Sequence, residues 1–106
     1  MKSAHIICRN REGVGKASGK DEYTSGSWTL SVAEADALVG GRLYLHETKA
    51  EPSYFGGTVL GWFPSKRESG AKEDGITFRL LADQEAKGVA WQGADHAMAW
   101  FSGLVG

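Results

Sequence analysis

A capped helix followed by two glycines and a strand is the feature that most constrains the fold of this chain. Ser31 and Glu34 have the spacing of a capping box, in which each side chain accepts a hydrogen bond from the other residue's amide. Apolar residues then recur at helical spacing, and Gly40 or Gly41 supplies the left-handed residue that closes a helix. The sequence therefore predicts a helix over residues 32–39, with a strand directly after it.

Most of the remaining regular structure is predicted to be strands, because apolar residues alternate or run continuously over short stretches. Residues 58–63 are apolar on both faces, and this pattern favours a central position in a sheet. In this strand Phe63 is predicted to lie on the same face as Val59. The predicted strands are residues 5–9, 42–48, 58–63, 76–81 and 89–92.

Two stretches lack an apolar pattern and are predicted to be irregular. Residues 10–27 contain four glycines and three serines, which predicts a long loop of the kind that is often functional in compact domains. Residues 64–74 are charged and polar, which predicts an exposed hairpin loop, and a turn is predicted at 83–88. Residues 95–105 fit either a strand or a short helix.

The composition supports a single, mainly β domain over residues 1–106. Fifteen glycines suit a sheet with tight turns, and 42% hydrophobic residues suffice for one core. We therefore expect an α+β domain that forms a small, partly open β-barrel of about five to six strands with one or two short helices. Cys8 is the only cysteine, and neither a signal peptide nor a membrane span is recognisable, so a cytoplasmic location without membrane contact is predicted.

Charge is unevenly distributed along the chain. Residues 1–20 carry five basic residues and one acidic residue, a balance of +4, whereas residues 21–106 carry seven basic and twelve acidic residues, a balance of −5. A basic segment on a nearly neutral domain can form a local phosphate-binding surface. The alternative is that these residues form a solvated basic loop.

Motifs for catalysis are weak, and no catalytic residue is assigned. Gly13 and Gly19 resemble a nucleotide-binding loop, but five residues separate them instead of four, and Asp21 stands where the magnesium-binding hydroxyl belongs. Cys8 lies in an apolar strand, where a thiol is inert, and Ser53 lacks the glycine elbow of a hydrolase.

The three histidines do not have metal-ligand spacing, so neither a metal nor another cofactor is predicted. His5, His46 and His96 are scattered along the chain, although folding can bring two of them together with Glu47 or Asp95. Most lone histidines are hydrogen-bonded or surface residues.

Two aromatic residues stand apart from the apolar runs. Trp28 and Tyr54 each lie in or beside a stretch rich in glycine and serine, with basic residues nearby in the sequence. Exposed rings interleaved with arginine and lysine are typical of sites that stack on nucleobases. The alternative for Trp28 is that it fastens the long loop to the core.

The layout resembles the PUA-like superfamily, which includes the ASCH, EVE and YTH domains. The resemblance implies a small β-barrel that binds RNA, or DNA with modified bases, in a cleft between the barrel and its loops. Where the strand after the helix often begins Gly-Asp in that superfamily, this chain has Gly41 and Arg42. The matching features are a first strand at 6–9, a loop ending near Trp28, the helix leading into Gly40, the strand at 42–45, the loop at 53–57 and the strand at 58–61.

These observations predict a domain that binds nucleic acid or a modified nucleotide, with RNA, DNA or a nucleotide-like ligand as its partner. Two alternatives remain. One is a small hydrolase acting on a modified nucleoside, with Lys16 or Lys20 and Glu47 as acid–base partners, and the other is a protein-interaction or homodimer module. The predicted contacts are Arg9, Arg11, Lys16 and Lys20 to phosphate, Trp28 and Tyr54 to a base, and Lys49 and Ser53 to polar groups.

Overall fold

The computed structural model describes residues 2–8, 14–17, 19–28, 30–66, 74–92, 102 and 105. Within these residues the chain is mainly β with two short helices, as predicted. The strands are β1 (Ser3–Ile7), β2 (Val14–Lys16), β3 (Glu22–Trp28), β4 (Arg42–His46), β5 (Phe55–Lys66) and β6 (Asp74–Ala82); the helices are α1 (Val32–Leu38) and a 3₁₀ helix at Gln84–Ala86.

The strands form one mixed sheet in the order β1-β4-β5-β6-β3-β2. Strands β1 and β4 are parallel, with Ser3 opposite Arg42 and Ile7 opposite His46, and the other neighbours are antiparallel. In the described part of the chain β1 and β2 are the two ends of this sheet, so closure into a barrel stays a prediction. None of the helices described here is long and apolar enough to span a membrane.

The core lies against one face of the sheet, where alternating residues of each strand point inward. On β4 the buried side chains Leu43 and Leu45 alternate with Tyr44, as the sequence predicts. Phe78 of β6 is the largest fully buried side chain. The apolar cluster comprises Ala4, Ile6, Cys8, Ala35, Leu38, Leu43, Leu45, Phe55, Val59, Ile76, Phe78 and Leu80.

Helix α1 has the predicted capping box. The Ser31 Oγ accepts a hydrogen bond from the Glu34 amide at 3.1 Å, and the Glu34 Oε1 accepts one from the Ser31 amide at 3.2 Å. Such a cap contributes about 1 kcal/mol. The helix ends at Leu38, one residue earlier than predicted, and Gly40 takes the left-handed conformation (φ 84°) that turns the chain into β4.

The prediction of one continuous loop over residues 10–27 is wrong, because this stretch contains β2 and β3. The buried residue Ser25 is small and polar, so the inward-facing positions of β3 do not produce an apolar alternation. Pairing with β6 stabilises the strand instead, with Tyr23 opposite Leu80.

The predicted facing of the central strand is also wrong. A bulge in β5 between Val59 and Gly61 shifts the alternation by one residue. Trp62 therefore packs towards the core opposite Phe78, and Phe63 is exposed instead of sharing the face of Val59. A bulge depends on pairing with the neighbouring strand, and the local sequence pattern does not reveal it.

The predictions for residues 64–74, 89–92 and 95–105 can be compared with the structure only in part. Residues 89–92 form no strand, although their apolar pattern predicts one. The predicted hairpin loop is shortened, since β5 extends to Lys66 and β6 begins at Asp74; residues 67–73 lie outside the described residues. Most of 95–105 also lies outside them, but the Ser102 amide donates to the His5 carbonyl at 2.9 Å along the edge of β1.

A salt bridge joins the start of β4 to the 3₁₀ helix. Arg42 Nη1 and Nη2 lie 2.6 and 2.9 Å from the two carboxylate oxygens of Asp83. This paired hydrogen bonding holds the pKa of Asp83 below its ordinary value. The Asp83 side chain also accepts from the Ala86 amide, so it caps the short helix.

Candidate functional site

The parallel pairing of β1 and β4 brings two histidines together on the sheet face opposite the core. On β1 the core residues Ala4 and Ile6 flank His5, and on β4 Leu45 precedes His46. The pairing sets His5 opposite Tyr44, two residues before His46. Both histidine side chains are completely buried.

The two imidazoles form a hydrogen-bonded chain that ends on the backbone. His5 Nδ1 lies 2.7 Å from His46 Nε2, and His46 Nδ1 lies 2.9 Å from the carbonyl oxygen of Glu51. A carbonyl oxygen only accepts hydrogen bonds, so His46 Nδ1 carries a hydrogen. The residues after β4 thereby fix the orientation of the His46 ring.

Burial keeps both imidazoles neutral at pH 7. The pKa of His5 falls from 6.5 to about 4, mainly because burial disfavours the charged ring and also because His46 repels it. Burial lowers the pKa of His46 as well, although the hydrogen bond to the Glu51 carbonyl opposes this effect.

Aromatic rings enclose the pair. The Tyr44 ring stacks on His5 with centroids 4.9 Å apart. Trp91 lies 5.6 Å from His5 and 5.0 Å from His46 by ring centroids, and the planes of Trp91 and His46 are inclined at 67°. The exposed Lys49 places its Nζ 5.3 Å from the Trp91 ring centroid, within the range of a cation–π contact.

Two buried polar atoms of this cluster have no hydrogen-bond partner among the described residues. They are His5 Nε2 and Trp91 Nε1. Buried nitrogen atoms are nearly always paired, and a lone unsatisfied donor or acceptor costs about 1–3 kcal/mol. Both atoms therefore stand out as unsatisfied within the described part of the chain.

Ser53 holds the segment that carries Trp91. The buried Ser53 hydroxyl donates to the Ala86 carbonyl at 2.5 Å and accepts from the Val89 amide at 3.0 Å. Its backbone accepts from Gly88 at 2.7 Å and donates to Val89 at 2.8 Å. The structure thus places Ser53 behind the cluster, where it positions the chain two residues before Trp91.

Tyr54 fastens the start of β5 to the end of β1. Its hydroxyl donates to the Cys8 carbonyl, and its half-buried ring packs against the core. The Cys8 amide in turn donates to the His46 carbonyl at 2.8 Å. Tyr54 therefore lies close to the histidine pair in the network of bonds, with its ring directed towards the interior.

Lys16 and Trp28 are not neighbours in the sheet. The half-buried Trp28 packs against the core, and its Nε1 donates to Ser25 Oγ at 3.1 Å. Lys16 pairs with Tyr23, five residues before Trp28 on β3, which is about 16 Å along a strand. Lys20 is exposed in the adjoining turn. Arg9 and Arg11 lie outside the described residues.

The contacts of Lys16 within the described part of the chain are local. Its Nζ donates to the Gly19 carbonyl at 2.9 Å and lies 4.7 Å from the Tyr23 ring centroid. Three strands lie between β2, which carries Lys16, and β4, which Glu47 follows directly. The strand order therefore does not support the predicted acid–base pairing of Lys16 with Glu47.

Within the residues that the structure describes, the histidine cluster lacks the ligands of a metal site. No group of three or more histidine, cysteine or acidic side chains with metal-binding geometry occurs in the described ranges. The facing nitrogens of His5 and His46 are hydrogen-bonded to each other, which leaves only His5 Nε2 with a free lone pair. This arrangement suits hydrogen bonding or proton transfer.

Comparison of the chain with known protein families, curated proteins and solved structures finds no match. The resemblance to PUA-like domains therefore stays a prediction. What the chain binds has to be inferred from the chemistry of its own side chains, above all the two buried imidazoles and Trp91.

Proposed function

We propose that this protein binds a base-bearing ligand, either a nucleotide or an exposed base of a nucleic acid, at the His–Trp site. This site consists of His5, Tyr44, His46, Lys49 and Trp91. The observation that carries the proposal is the pair of buried, unpartnered ring nitrogens on His5 and Trp91. A ligand that supplies one hydrogen-bond donor and one acceptor removes both deficits at once.

A nucleobase suits this site because it is planar and has polar atoms along its edge. The ring of Trp91 is only partly buried, so it can contact a base, whereas the ring of Tyr44 already stacks on His5. The exposed Lys49 at the rim supplies a cation for the phosphate that accompanies the base.

The basic N-terminal segment extends this proposal to a polymer. Lys16 and Lys20 are exposed, and Arg9 and Arg11 belong to the same +4 segment of the sequence. On a nucleic acid Lys16 and Lys20 contact phosphates away from the bound base, and Arg9 and Arg11 contribute positive charge to the same segment. Binding of a polymer should then weaken as salt is raised, because phosphate contacts release counterions.

Nucleotide titrations of matched variants test the proposal. We expect that Trp91→Ala weakens binding of uridine or guanosine monophosphate about tenfold or more, because the indole ring and its N–H are both lost. Lys49→Ala should weaken binding about fivefold, as expected for one partly solvated ion pair. Nuclear magnetic resonance titration measures both effects and locates them.

Lys16→Ala is the matched control for Lys49→Ala. Both lysines are exposed and lie near an aromatic ring, but Lys16 is on β2 at the other end of the sheet order. We expect Lys16→Ala to leave mononucleotide affinity unchanged. Equal losses in the two variants, or shifts centred on Trp28, would contradict binding at the His–Trp site.

The imidazole chain favours one second candidate, a hydrolase acting on a modified nucleoside. His5 Nε2 can accept a proton, and its partner His46 is anchored on the Glu51 carbonyl. A general base needs such a lone pair within hydrogen-bond reach of the proton it removes. The candidate predicts product formation when a modified nucleoside is incubated with the protein, whereas an unchanged nucleoside supports binding alone.

A further inference from the structure

The hydrogen-bond chain at the His–Trp site has a direction, which the Glu51 carbonyl sets. Since this oxygen only accepts, His46 carries its hydrogen on Nδ1. A neutral imidazole has one hydrogen, so His46 Nε2 is a bare acceptor. The hydrogen in the 2.7 Å contact with His5 therefore belongs to His5 Nδ1.

It follows that His5 Nε2 is a bare acceptor as well. It cannot donate while both rings are neutral, and it has no partner among the described residues. Trp91 Nε1 is the opposite case, because an indole nitrogen only donates. The site thus presents one acceptor and one donor, on rings whose centroids are 5.6 Å apart.

The ligand reaches these atoms beneath the Trp91 ring. Trp91 covers His5 and is itself only partly buried. Residues 89–92 form no strand, and the described hydrogen bonds of Ser53 hold this segment at Gly88 and Val89, short of the tryptophan. We therefore expect the indole to rotate when the edge of a planar ring enters.

Building on the proposed function, we infer that the His–Trp site selects bases with a cyclic amide edge, on which a ring N–H adjoins a carbonyl. The N–H donates to His5 Nε2, and the carbonyl accepts from Trp91 Nε1. Uracil, thymine and guanine have this edge. His46 is a positioning residue, since it fixes which nitrogen of His5 carries the hydrogen.

Bases whose only donor at this edge is an amino group fit less well. An amino group has two hydrogens, and His5 Nε2 can accept only one of them. The second hydrogen is then buried without a partner, which costs about 1–3 kcal/mol. This difference disfavours adenine and cytosine relative to uracil and guanine.

A pair of nucleotides that differ by one methyl group tests the inference. We expect 3-methyluridine monophosphate to bind at least about tenfold more weakly than uridine monophosphate, because methylation removes the donor at a buried acceptor. Cytidine monophosphate should also bind more weakly than uridine monophosphate. Calorimetric titration of the full chain measures all three affinities.

The variant Trp91→Phe provides an independent check, since it keeps an aromatic ring and removes the indole N–H. We expect it to weaken uridine monophosphate binding roughly fivefold to tenfold, the usual effect of one lost hydrogen bond. Trp91→Phe should weaken binding of 3-methyluridine monophosphate less, because the methylated edge of that ligand does not form the hydrogen bonds with His5 and Trp91.

The outcomes separate this inference from the proposed function. Equal binding of uridine and 3-methyluridine monophosphates at the His–Trp site overturns the cyclic amide inference and leaves nucleotide binding intact. Absence of binding by uridine and guanosine monophosphates and by a uridine oligonucleotide overturns both. A buried water that bridges His5 and Trp91 and persists at saturating nucleotide also overturns both.

Discussion

Acidification from about pH 7.5 to about pH 4.5 is expected to lower the free energy of unfolding by on the order of 3 kcal/mol. In the folded protein the pKa of His5 is about 4, against 6.5 for an ordinary histidine. Between these values the unfolded chain binds a proton that the folded chain does not. The contribution of neutral His5 to the free energy of unfolding is therefore fully present above pH 6.5 and is lost as the pH falls towards 4.

His46 acts in the same direction, since burial lowers its pKa too. The described side chains around the pair are Tyr44, Trp91 and Lys49, and Glu51 contacts His46 through its backbone carbonyl. Urea unfolding at a series of pH values measures the effect. A free energy of unfolding that stays constant or rises between pH 7.5 and about pH 4.5 would contradict a buried neutral pair.

Asp83→Asn is the control variant for this titration. The pKa of Asp83 is depressed by Arg42, so the stability from this pair is present above the unfolded pKa, about 3.9, and is lost as the pH falls further. We expect Asp83→Asn to lower stability at neutral pH and to leave the slope between about pH 5 and pH 6.5 unchanged. The double variant His5→Gln with His46→Gln should abolish that slope.

Replacement of Gly57 by alanine is expected to destabilise the protein by about 3 kcal/mol or more. Gly57 lies on β5 opposite Ala82 of β6, where the strands approach closely. A Cβ at this position would overlap the carbonyl oxygen of Leu81 and lie 2.8 Å from the Cα of Ala82. Backbone atoms of a paired central strand cannot move away without breaking the ladder.

Gly61→Ala is a matched control on the same strand. A Cβ there has no atom within 4 Å, apart from its chain neighbours. We expect its effect to stay within about 0.5 kcal/mol, as for most surface substitutions. Chemical denaturation of both variants measures the difference, and similar midpoints for the two would contradict the β5–β6 register.

Elements that are stabilised by interactions between residues close in sequence could be predicted from the sequence. Elements that depend on pairing with a distant strand could not. The capping box at Ser31 fixes the start of α1, because both of its hydrogen bonds are local. Strand β3 has the small polar residue Ser25 in the interior, and its stability comes from β6. The bulge after Val59 likewise depends on the partner strand.

The candidate site depends even more on distant pairing. His5 and His46 are 41 residues apart, and only the parallel register of β1 and β4 brings them into contact. The alternation of β4 already directs His46 away from Leu43 and Leu45, which is the one signal in the sequence for this site. The alternation does not show which strand lies beside β4.

The binding residues that the sequence predicts, where the structure describes them, fall in two regions. Lys49 and Ser53 lie at the His–Trp site, one above Trp91 and the other behind its segment. Trp28 and Lys16 lie apart from each other on β3 and β2. A basic residue and an aromatic residue that are close in sequence need not be in contact, because an extended strand between them holds them apart.

Nitrogen-15 spectroscopy of the histidine rings reports which nitrogen of His5 and of His46 carries the hydrogen, on which the proposed nucleotide binding depends. At pH 7 we expect His5 and His46 both to be neutral with the hydrogen on Nδ1, and the His5 Nε2 signal to shift when uridine monophosphate is added. A hydrogen on His5 Nε2, a charged imidazole pair, or nucleotide binding that leaves the His5 Nε2 signal unchanged would contradict the account.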